Sequence, residues 1–518
     1  MNPISTPQVP PKAFEFRTLL VYLIFAAGSA AICTQINVSL GVTPNTSIIG
    51  VIFAIIAART IFRQFRSPER QVMLETATSA GGFAGANIGL VSLAALYLLD
   101  LQALAVPLFV GVTLGMVLDI WLASRLFGSN AFPASAPWPD GEAVGRVIQI
   151  GDEGGTMGRH LLQGLGAGIV GRLLGLPMAG IGIAFIGNPA ALTALGIGLV
   201  VRPFTPLIGW DLTTSYIPHG IMIGAGLVQI AQTVFTFRRS IPSSSDHTSE
   251  TQETSSRIGI RDLVFHLATF TVGAACLFVM AELWQGKFPS VQIFSWIIFA
   301  GLAAVIHTLI VGYCAMLSGW FPSFAVAIAL ILIAALLNFP PETLAMLAGY
   351  ILATGPLFAD LGYDLKAGWI VRGRDINPIY EREGRRQQVW LQQIGGLVGI
   401  VTAFIIFGAY WQQDLIPPMG RVVATTIDLS VTPSLSDELA IGILLGIAIQ
   451  ALGGGRRALG VLLSTGLLLD NSIYGWALLV ALLIRNKFGK KPMTVRAPGL
   501  IAGDGLTGFG EAFVRGVL

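Results

Sequence analysis

Eleven ionisable side chains lie within or at the ends of segments that are otherwise apolar, and they are the first candidates for chemistry. They are Glu75, Asp119, Arg125, Arg172, Glu282, His307, Asp360, Asp364, Asp470, Asp504 and Glu511. A charge inside a lipid bilayer is costly, so such residues usually face a polar cavity or a partner. Carboxyl and imidazole groups can take up and release protons. The pattern therefore indicates proton transfer or ion pairing within a membrane, although we expect Asp470 only to mark the end of a span.

Two of these features have a spacing that helps to interpret them. Asp504 and Glu511 are seven residues apart, so they would share one face of a helix. His307 lies in the middle of an apolar segment, between Val305 and Leu309. A histidine there could relay a proton, but a hydrogen-bonded core histidine fits the same pattern, and the sequence leaves both interpretations open.

Several kinds of chemistry have no motif in this chain. It contains no phosphate-binding loop of the form G-x-x-x-x-G-K-[ST], no H-E-x-x-H zinc motif and no nucleophile elbow. The three cysteines, Cys33, Cys276 and Cys314, all fall in apolar segments, and we expect them to be buried thiols. We therefore expect no ATP-driven motor, no cofactor, no resident metal and no nucleic-acid partner.

Hydrophobic segments long enough to cross a bilayer recur along the chain and must position these side chains. Of the 518 residues, 54% are hydrophobic and 11% are charged, against about 25% charged residues in soluble domains. A bilayer core needs about 20 mostly apolar residues in a helix, and segments such as 19–38, 103–123 and 263–281 have that length. We predict an all-α, polytopic transmembrane bundle of about 13 to 16 spans, including interrupted or re-entrant helices, embedded in the lipid bilayer.

One polar stretch divides the apolar segments into two groups. Residues 238–261 contain few apolar side chains, and such a composition is typical of disorder. We therefore predict a first membrane half at 1–237, a flexible cytoplasmic or extracellular linker at 238–261, and a second half at 262–518. Within the linker, we expect residues 240–256 to be dispensable. No internal sequence repeat is evident, so the two halves are a hypothesis.

Basic residues in the short loops predict the orientation of the chain. Lys and Arg cluster at 12–17, 59–70, 366–386 and 485–496, and such loops lie on the cytoplasmic side of membrane proteins. When the spans between these clusters are counted, the number around residues 161–236 does not return the chain to the cytoplasmic side. We therefore expect at least one re-entrant segment in that region.

Glycine accounts for 62 residues and is concentrated in apolar stretches at 81–89, 164–171 and 499–510. Small residues allow two helices to pack closely, whereas an unwound helix exposes backbone groups that bind substrates in transporters. Close packing is the simpler explanation for any one stretch. Because two carboxylates accompany the last stretch, the two explanations are balanced there, and we predict interrupted helices near Gly81 and Gly503.

Four sequence elements together resemble the oligopeptide transporter family, which includes the yellow-stripe-like metal-chelate transporters. Residues 75–82 are similar to the family's Q-T-x-x-S-A-G segment, and 138–143 (W-P-D-G-E-A) resemble its P-[FY]-P-E-G-x-A element. Residues 363–368 (Y-D-L-K-A-G), followed by R-R-Q-Q at 385–388, resemble its Q-D-L-K-T-G…P-R-x-Q-Q loop. Near the end of the chain, 499–505 (G-L-I-A-G-D-G) is similar to the family's G-L-I-A-G-E-[GA].

The resemblance implies a secondary transporter, driven by protons, that imports small peptides or peptide-like metal chelates. It also implies a prokaryotic or divergent member in the cell (inner) membrane. The candidate residues for substrate binding or coupling combine the intramembrane charges with the family-like elements. They are Glu75, Ser79, Gly81, Asp140, Glu142, His307, Asp364, Lys366, Asp504 and Glu511. The sequence does not indicate the oligomeric state.

Two of the family-like elements also have a purely structural explanation. Asp140 and Glu142 would lie at a helix start, where carboxylates bind free N–H groups, so a plain helix cap explains them equally well. Asp364 and Lys366 flank a span end, where a solvated cytoplasmic loop is the alternative to a gate of salt bridges. Our first candidates for proton coupling, in order, are Glu142, Asp504, Glu511 and His307.

Two other functions remain open at this stage, namely a membrane-embedded enzyme acting on lipid-linked substrates and a channel. Such an enzyme would need a cluster of polar residues with acid–base or metal geometry near one interface, and the sequence shows none. Substrate competition and proton dependence of uptake into proteoliposomes would separate these functions from that of a transporter.

Overall fold

Helices account for nearly all of the described chain. The computed structural model describes residues 9–43, 46–60, 63–150, 156–209, 212, 215–240, 260–285, 292–319, 321–428, 436–453, 458–489 and 491–517. Within these ranges there is no β-strand, only an isolated bridge between Phe127 and Phe132. The prediction of an all-α fold is confirmed.

Ten α-helices are described before the polar stretch. They are α1 (Phe16–Leu40), α2 (Thr46–Thr60), α3 (Pro68–Phe83), α4 (Leu90–Leu98), α5 (Ala105–Leu126), α6 (Pro139–Ile150), α7 (Thr156–Leu173), α8 (Met178–Ile186), α9 (Pro189–Val201) and α10 (Ile217–Ser240). A π-helical turn, Ala84–Gly89, joins α3 to α4 without a break. The two helices therefore form one candidate span of 31 residues, Pro68–Leu98.

Twelve α-helices are described after the polar stretch. They are α11 (Ile260–Gln285), α12 (Ile293–Ser318), α13 (Ser323–Leu336), α14 (Pro341–Leu352), α15 (Pro356–Val371), α16 (Pro378–Trp411), α17 (Pro418–Asp428), α18 (Ser436–Gly453), α19 (Leu459–Leu468), α20 (Ser472–Phe488), α21 (Lys491–Thr494) and α22 (Ala497–Val517). α14 and α15 belong to one 31-residue candidate span. It is interrupted at 353–355, where Gly355 adopts a left-handed backbone conformation with φ +89°.

Eight of the described helical segments are long and apolar enough to cross a membrane by their length and composition. They are Phe16–Leu40, Pro68–Leu98, Gln102–Leu126, Pro189–Leu207, Val264–Trp284, Ile293–Leu317, Pro341–Val371 and Pro378–Trp411. The prediction of a polytopic membrane bundle is confirmed. One detail of the cysteine prediction is wrong, because Cys276 is exposed whereas Cys33 and Cys314 are buried. Cys276 lies on α11 among exposed apolar residues such as Val272, where a thiol is as compatible as a small hydrophobic side chain.

The order of elements repeats along the chain. The series α1 to α10 corresponds in order to the series α12 to α20 followed by α22. Among the described helices, α11 and the single turn α21 have no counterpart. In each series a long helix ends at a left-handed glycine, Gly41 or Gly319, and a short helix follows. A 31-residue span comes next, with a π-helical turn in the first series and an interruption in the second. A further long helix follows, and then an amphipathic helix that begins with the sequence Pro-x-Gly.

This structural correspondence reveals a sequence repeat that is not evident by inspection. The pattern P-E-x-x-x-M-L at 68–74 recurs at 341–347, and G-x-x-x-G-x-G-L at 220–227 recurs at 499–506. Ser79 on α3 contacts Asp360 on α15. One turn earlier on α3, Glu75 interacts with Asp364, which lies one turn later on α15. The two helices therefore run antiparallel. Since α15 is the counterpart of α4, the continuation of α3, the two series run in opposite directions, as in inverted repeats.

The predicted boundaries of the halves are not tested by this correspondence. α10 extends through residue 240 and α11 begins at 260, so both ends of the predicted linker are helical. Residues 241–259 lie outside the described residues. The linker at 238–261 and the halves at 1–237 and 262–518 therefore stay predictions.

Glycines pack corresponding helix pairs together. α7 lies on α22, and a Cβ on Gly168 would lie 3.0 Å from the Cα of Gly503. α10 lies on α18, and a Cβ on Gly220 would lie 2.8 Å from the Cα of Gly442. α22 is continuous, so the predicted interruption near Gly503 is wrong, and close packing explains this stretch.

The interruption predicted near Gly81 is also misplaced. Gly81 is helical, and a Cβ there would lie 2.9 Å from the Cα of Ala26 on α1, so its role is again close packing. The backbone departs from an α-helix three residues later, at the π-helical turn Ala84–Gly89. The interruption in the helical backbone occurs in the corresponding span, at 353–355.

The basic loops meet at one end of the bundle, which we call the basic end. Arg70 at the start of α3 pairs with Glu15 at 2.6 Å, and the backbone N–H of Ala13 donates to the Gln387 side chain at 2.8 Å. α22 begins at this end too, since it runs parallel to α1 with Gly505 against Ile32 and Gly508 against Gln35. This arrangement agrees with the prediction that these loops share one side of the membrane.

Candidate functional site

A central cavity of about 260 Å³ lies where the two series of helices meet. Residues 41–43, which follow α1, form part of its wall, and so do their counterparts Gly319 and Phe321 after α12. Asn87 of the π-helical turn and Pro356 at the interruption also contribute. Helix ends and interruptions leave backbone groups available, which is why such places bind ligands in membrane proteins.

One wall of the cavity carries a polar network. Asn87 accepts a hydrogen bond from the Thr43 hydroxyl at 2.7 Å, and Asn37 donates to Thr43 and to the Ala86 carbonyl, both at 3.2 Å. The rest of the lining is largely apolar. A concave, mostly apolar site with a few fixed polar groups is typical of small-molecule binding.

Asp360 lies one helical turn from this cavity, because it follows Pro356 by four residues on α15. Its Oδ1 accepts hydrogen bonds from Ser79 at 2.6 Å and from Thr46 at 3.4 Å. Its Oδ2 accepts one from Gln392 at 2.8 Å. Although Asp360 is only 3% exposed, its carboxyl group is therefore well supplied with donors.

Glu75 on α3 and Asp364 on α15 lie one turn further from the cavity. Both side chains are fully buried, and the two carboxyl groups lie close enough to interact electrostatically. None of their four carboxyl oxygens has a well-formed hydrogen bond to a described residue, although Ser47 lies beside Glu75. Unpartnered buried polar groups are costly, so this pair differs sharply from Asp360.

The polar groups continue from this pair towards the basic end. Gln388 on α16 donates to the Asp364 carbonyl at 2.8 Å and to the Thr76 hydroxyl at 3.1 Å. Its side-chain oxygen accepts from Arg372 at 2.8 Å, and Arg372 pairs with Glu381 at 2.6 Å. We call the whole series the polar column, which consists of Asp360, Glu75, Asp364, Gln388, Arg372 and Glu381.

A second cluster joins α7, α8, α20 and α22. Arg172 pairs with Asp504 at 3.2 Å and with Glu511 at 3.0 Å, which confirms that these carboxylates share one helix face. The Tyr474 hydroxyl donates to Asp504 at 2.9 Å, and the Ala179 N–H at the start of α8 donates to it at 2.6 Å. Asp504 therefore caps α8, and both of its oxygens are hydrogen-bonded.

A third cluster surrounds Glu142 on α6. Three cations contact its carboxylate, namely Arg146 at 2.7 Å, Lys366 at 3.4 Å and Arg374 at 3.5 Å. Partial burial by itself raises the pKa of Glu142, but the hydrogen bond from Arg146 and the charge of Lys366 outweigh it and lower the pKa. Asp140 and Glu142 both lie in the first turn of α6, as predicted.

The alternative of a solvated loop around Asp364 and Lys366 is wrong. Lys366 is 3% exposed and Asp364 is fully buried. The Lys366 ammonium donates to the carbonyls of Ala134 and Ala136 at 2.9 and 3.0 Å. Packing of α6 against α15 covers this span end, which periodicity along one helix cannot show.

His307 and Asp119 hold the interrupted span in place. The ring nitrogens of His307 lie 2.9 Å from the carbonyl oxygens of Ile351 and Ser323, so the side chain joins α12 to both neighbouring helix ends. Asp119 accepts from the Thr308 hydroxyl at 2.8 Å and from the Phe358 N–H at 2.7 Å, which caps α15. These contacts support the interpretation of His307 as a hydrogen-bonded core histidine.

The structure brings the ten candidate residues together in groups rather than in one site. Glu75, Ser79 and Asp364 lie together beside Asp360, whereas Asp504 and Glu511 belong to the second cluster. The site candidates omitted Asp360 and its partner Gln392, although the four-residue spacing of Asp360 and Asp364 places both on one helix face. In the described part of the chain, no three His, Cys, Asp or Glu side chains are placed to hold a metal ion.

Comparison with known proteins adds one finding. A family model described as OPT oligopeptide transporter protein matches residues 205–515, which is more than half of the chain. The matched part contains Asp360, Asp364 and Asp504 but not Glu75 or Arg172. No curated protein matches the chain.

Proposed function

The chain belongs to the oligopeptide transporter family, and from this premise we propose a secondary active transporter that imports small peptides or peptide-like metal chelates with protons. Members of this family are transporters, and the chain is an integral, multi-pass membrane protein. We propose the cell membrane of a prokaryote as its location. The basic end then faces the cytoplasm.

The central cavity is the proposed substrate site. It lies between two oppositely directed series of helices, and such a position can be opened to each side in turn when one series moves against the other. Its apolar lining suits side chains of varied shape, while Thr43 and Asn87 offer hydrogen bonds to peptide groups. The few fixed polar groups suit a carrier that accepts several related substrates.

The observation that carries the coupling proposal is the Glu75–Asp364 pair, two turns from the cavity. Two adjacent buried carboxylates without donors or a cation are unstable. A proton held between their oxygens removes one charge and supplies a hydrogen bond. Release of that proton would then need a movement that admits water from the basic end, because neither the amide of Gln388 nor the guanidinium group of Arg372 can take up a proton.

Asp504 is a weaker candidate for the same role. Its carboxylate is paired with Arg172 and caps α8, so protonation would break three favourable contacts rather than repair a deficit. Glu142 is likewise held by three cations, and both ring nitrogens of His307 already have hydrogen-bond partners. These residues and Glu511 stay in the test as a comparison set.

The experiment compares two modes of transport in proteoliposomes. Accumulation of small peptides and metal chelates is measured under an imposed pH gradient, and exchange of labelled substrate is measured at equal pH. Glu75→Gln and Asp364→Asn are expected to abolish accumulation and to keep exchange. Glu383→Gln, which changes a half-exposed carboxylate near the basic end, is the matched control and should keep both, because glutamine retains the oxygen that accepts from Gln387.

The results separate the possible functions. Accumulation above the external concentration excludes a channel, and chemically unchanged substrate inside the vesicles argues against an enzyme. If Glu75→Gln and Asp364→Asn both accumulate substrate like the unmodified protein, the coupling assignment is wrong. If the unmodified protein transports none of the peptides and chelates, the proposed substrate class is wrong.

A further inference from the structure

A second cavity, of about 220 Å³, lies at the end of the bundle opposite the basic end. We call it the vestibule. Its polar lining comes from the end of α9, the start of α10 and one face of α17, and consists of Arg202, Ser215, Tyr216, His219, Arg421, Thr425 and Asp428. Among the described lining residues, two guanidinium groups therefore face one carboxylate, and a second carboxylate, that of Glu438 on α18, accepts hydrogen bonds from the Ser215 hydroxyl and the Tyr216 N–H.

The vestibule lies one helical turn from the central cavity on two helices. On α10, Met222 lines the central cavity and His219 lines the vestibule. On α19, Thr465 and Leu468 have the same relation. A solute that enters from this end would therefore meet the vestibule before the central cavity.

The two arginines differ in what holds them. Arg202 donates to the Leu467 carbonyl at 3.4 Å and so supports the end of α19. Arg421 pairs with Asp414 at 3.1 Å, but Asp414 is 81% exposed, and such exposed pairs contribute little. Arg202, His219 and Arg421 all line the same cavity.

The corresponding place at the basic end holds its charged groups differently. Arg485, the counterpart of Arg202, donates to the Ala184 and Gly187 carbonyls at the end of α8, both at 2.7 Å. Glu142 stands where the opposite series has Arg421, and three cations hold it. Two arginines that line one cavity are therefore a feature of this end and are not imposed by the repeat.

We propose that the vestibule binds the free carboxylate of an incoming substrate, with Arg421 as the principal partner. The inference rests on the proposed function, because it takes the substrates to be peptides or chelates that carry a carboxylate. A guanidinium group offers two parallel N–H donors that match the two oxygens of a carboxylate. Asp428 on the same wall can repel a second carboxylate and attract an amino group.

The test measures binding to the detergent-solubilised full-length protein by isothermal titration calorimetry. The probes are trialanine and trialanine amide, which differ in the terminal carboxylate. The unmodified protein is expected to bind trialanine about 10-fold more tightly, as one charge-assisted contact predicts. Arg421→Gln should remove this preference, and Arg421→Lys should restore part of it, because lysine keeps the charge but not the paired donors.

Arg386→Gln is the matched control, since it removes an exposed arginine at the basic end and should leave the preference unchanged. Equal affinity of the unmodified protein for both probes, or no binding of either, overturns the proposal. A preference that survives in both Arg421 variants overturns it as well. A protein that shows the preference but accumulates no peptide under a pH gradient overturns the proposed function and leaves the vestibule assignment intact.

Discussion

The helix pairs α7–α22 and α10–α18 are packed in the same way, yet their polar side chains differ at every equivalent position. Each pair meets through two G-x-x-x-G patterns, at 164–168 and 499–503 in one pair and at 220–224 and 442–446 in the other. The corresponding residues are Arg172 and Gln450, Asp504 and Ala225, and Glu511 and Gln232. These three side chains are charged in the first pair of helices and uncharged in the second.

The Arg172–Asp504–Glu511 cluster and the Gln232–Gln450 cluster nevertheless serve the same structural purpose. Asp504 accepts from the N–H of Ala179, the second residue of α8. Gln450 accepts at 3.1 Å from the N–H of Gly460, the second residue of α19. Each cluster thus supplies an acceptor to the start of a short helix that would otherwise leave donors unsatisfied within the bundle.

The difference shows that the packing needs glycine and a cap, whereas the cap need not be charged. A buried ion pair often adds little net stability over a neutral arrangement of similar shape, but removal of one partner leaves an uncompensated charge. The two clusters should therefore resemble each other when intact and respond very differently to single substitutions.

The largest effect is expected for Arg172→Met. It removes the only cation that pairs with Asp504 among the described ion pairs, and the free energy of unfolding should fall by about 3–5 kcal/mol. Gln450→Met, at the equivalent position, leaves the Gly460 N–H without its acceptor and should cost about 1–3 kcal/mol. Unfolding of the detergent-solubilised protein measures both values, and equal losses would remove the distinction between the clusters.

An effect of intermediate size should be the same in both pairs. Gly503→Ala and Gly224→Ala each place a Cβ against the backbone of the facing helix, at Leu165 and Ile443 respectively. Each substitution should lower the free energy of unfolding by about 1–3 kcal/mol through overpacking. Gly510→Ala on α22 is the control, because a Cβ there meets no neighbouring atom within 4 Å, and better helix propensity should make it neutral or stabilising.

A smaller effect concerns Glu142 on α6, whose counterpart on α17 is Arg421. Because the pKa of Glu142 is lowered in the folded state, its contribution to stability is present above its ordinary value of 4.5 and is lost as the pH falls through the lowered pKa. Glu142→Gln should therefore be less stable than the unmodified protein at neutral pH, by less than about 1 kcal/mol because the carboxylate is partly solvated.

The corresponding measurement is unfolding as a function of pH. The difference between Glu142→Gln and the unmodified protein should shrink as the pH is lowered below 4.5. A difference that stays constant between neutral and acidic pH would show that the ionised carboxylate is not what the three cations stabilise.

The sequence predicted the helical membrane fold because composition and the length of apolar segments determine it directly. It also predicted that Asp504 and Glu511 share a face, since one helix fixes that relation. It did not reveal the repeat, because packing preserves only the glycines and a few prolines, while the apolar residues between them are interchangeable in lipid. These sparse identities become visible only when equivalent helices are aligned.

The grouping of the candidate carboxylates could not be predicted either. Glu75 and Asp364 are adjacent because α3 and α15 pack antiparallel, and periodicity within one helix carries no information about such a contact. The same limit applies to Asp504, whose position near glycines suggested an unwound helix. Its partners Arg172 and Ala179 lie more than 300 residues earlier in the chain.

The smallest effect on stability is expected for a triple substitution that gives α7–α22 the side chains of α10–α18. Arg172→Gln, Asp504→Ala and Glu511→Gln together remove all three charges, and the new glutamine can approach the start of α8 as Gln450 approaches the start of α19. The triple variant should unfold within about 1 kcal/mol of the unmodified protein, although Arg172→Gln alone should cost about 3–5 kcal/mol, because neighbouring substitutions in one network are not additive. If the triple variant is as unstable as Arg172→Gln alone, the two clusters are not equivalent caps. Transport by the folded triple variant then decides the remaining question: pH-driven accumulation should persist if Glu75 and Asp364 carry the proton, and it should be lost if Asp504 or Glu511 does.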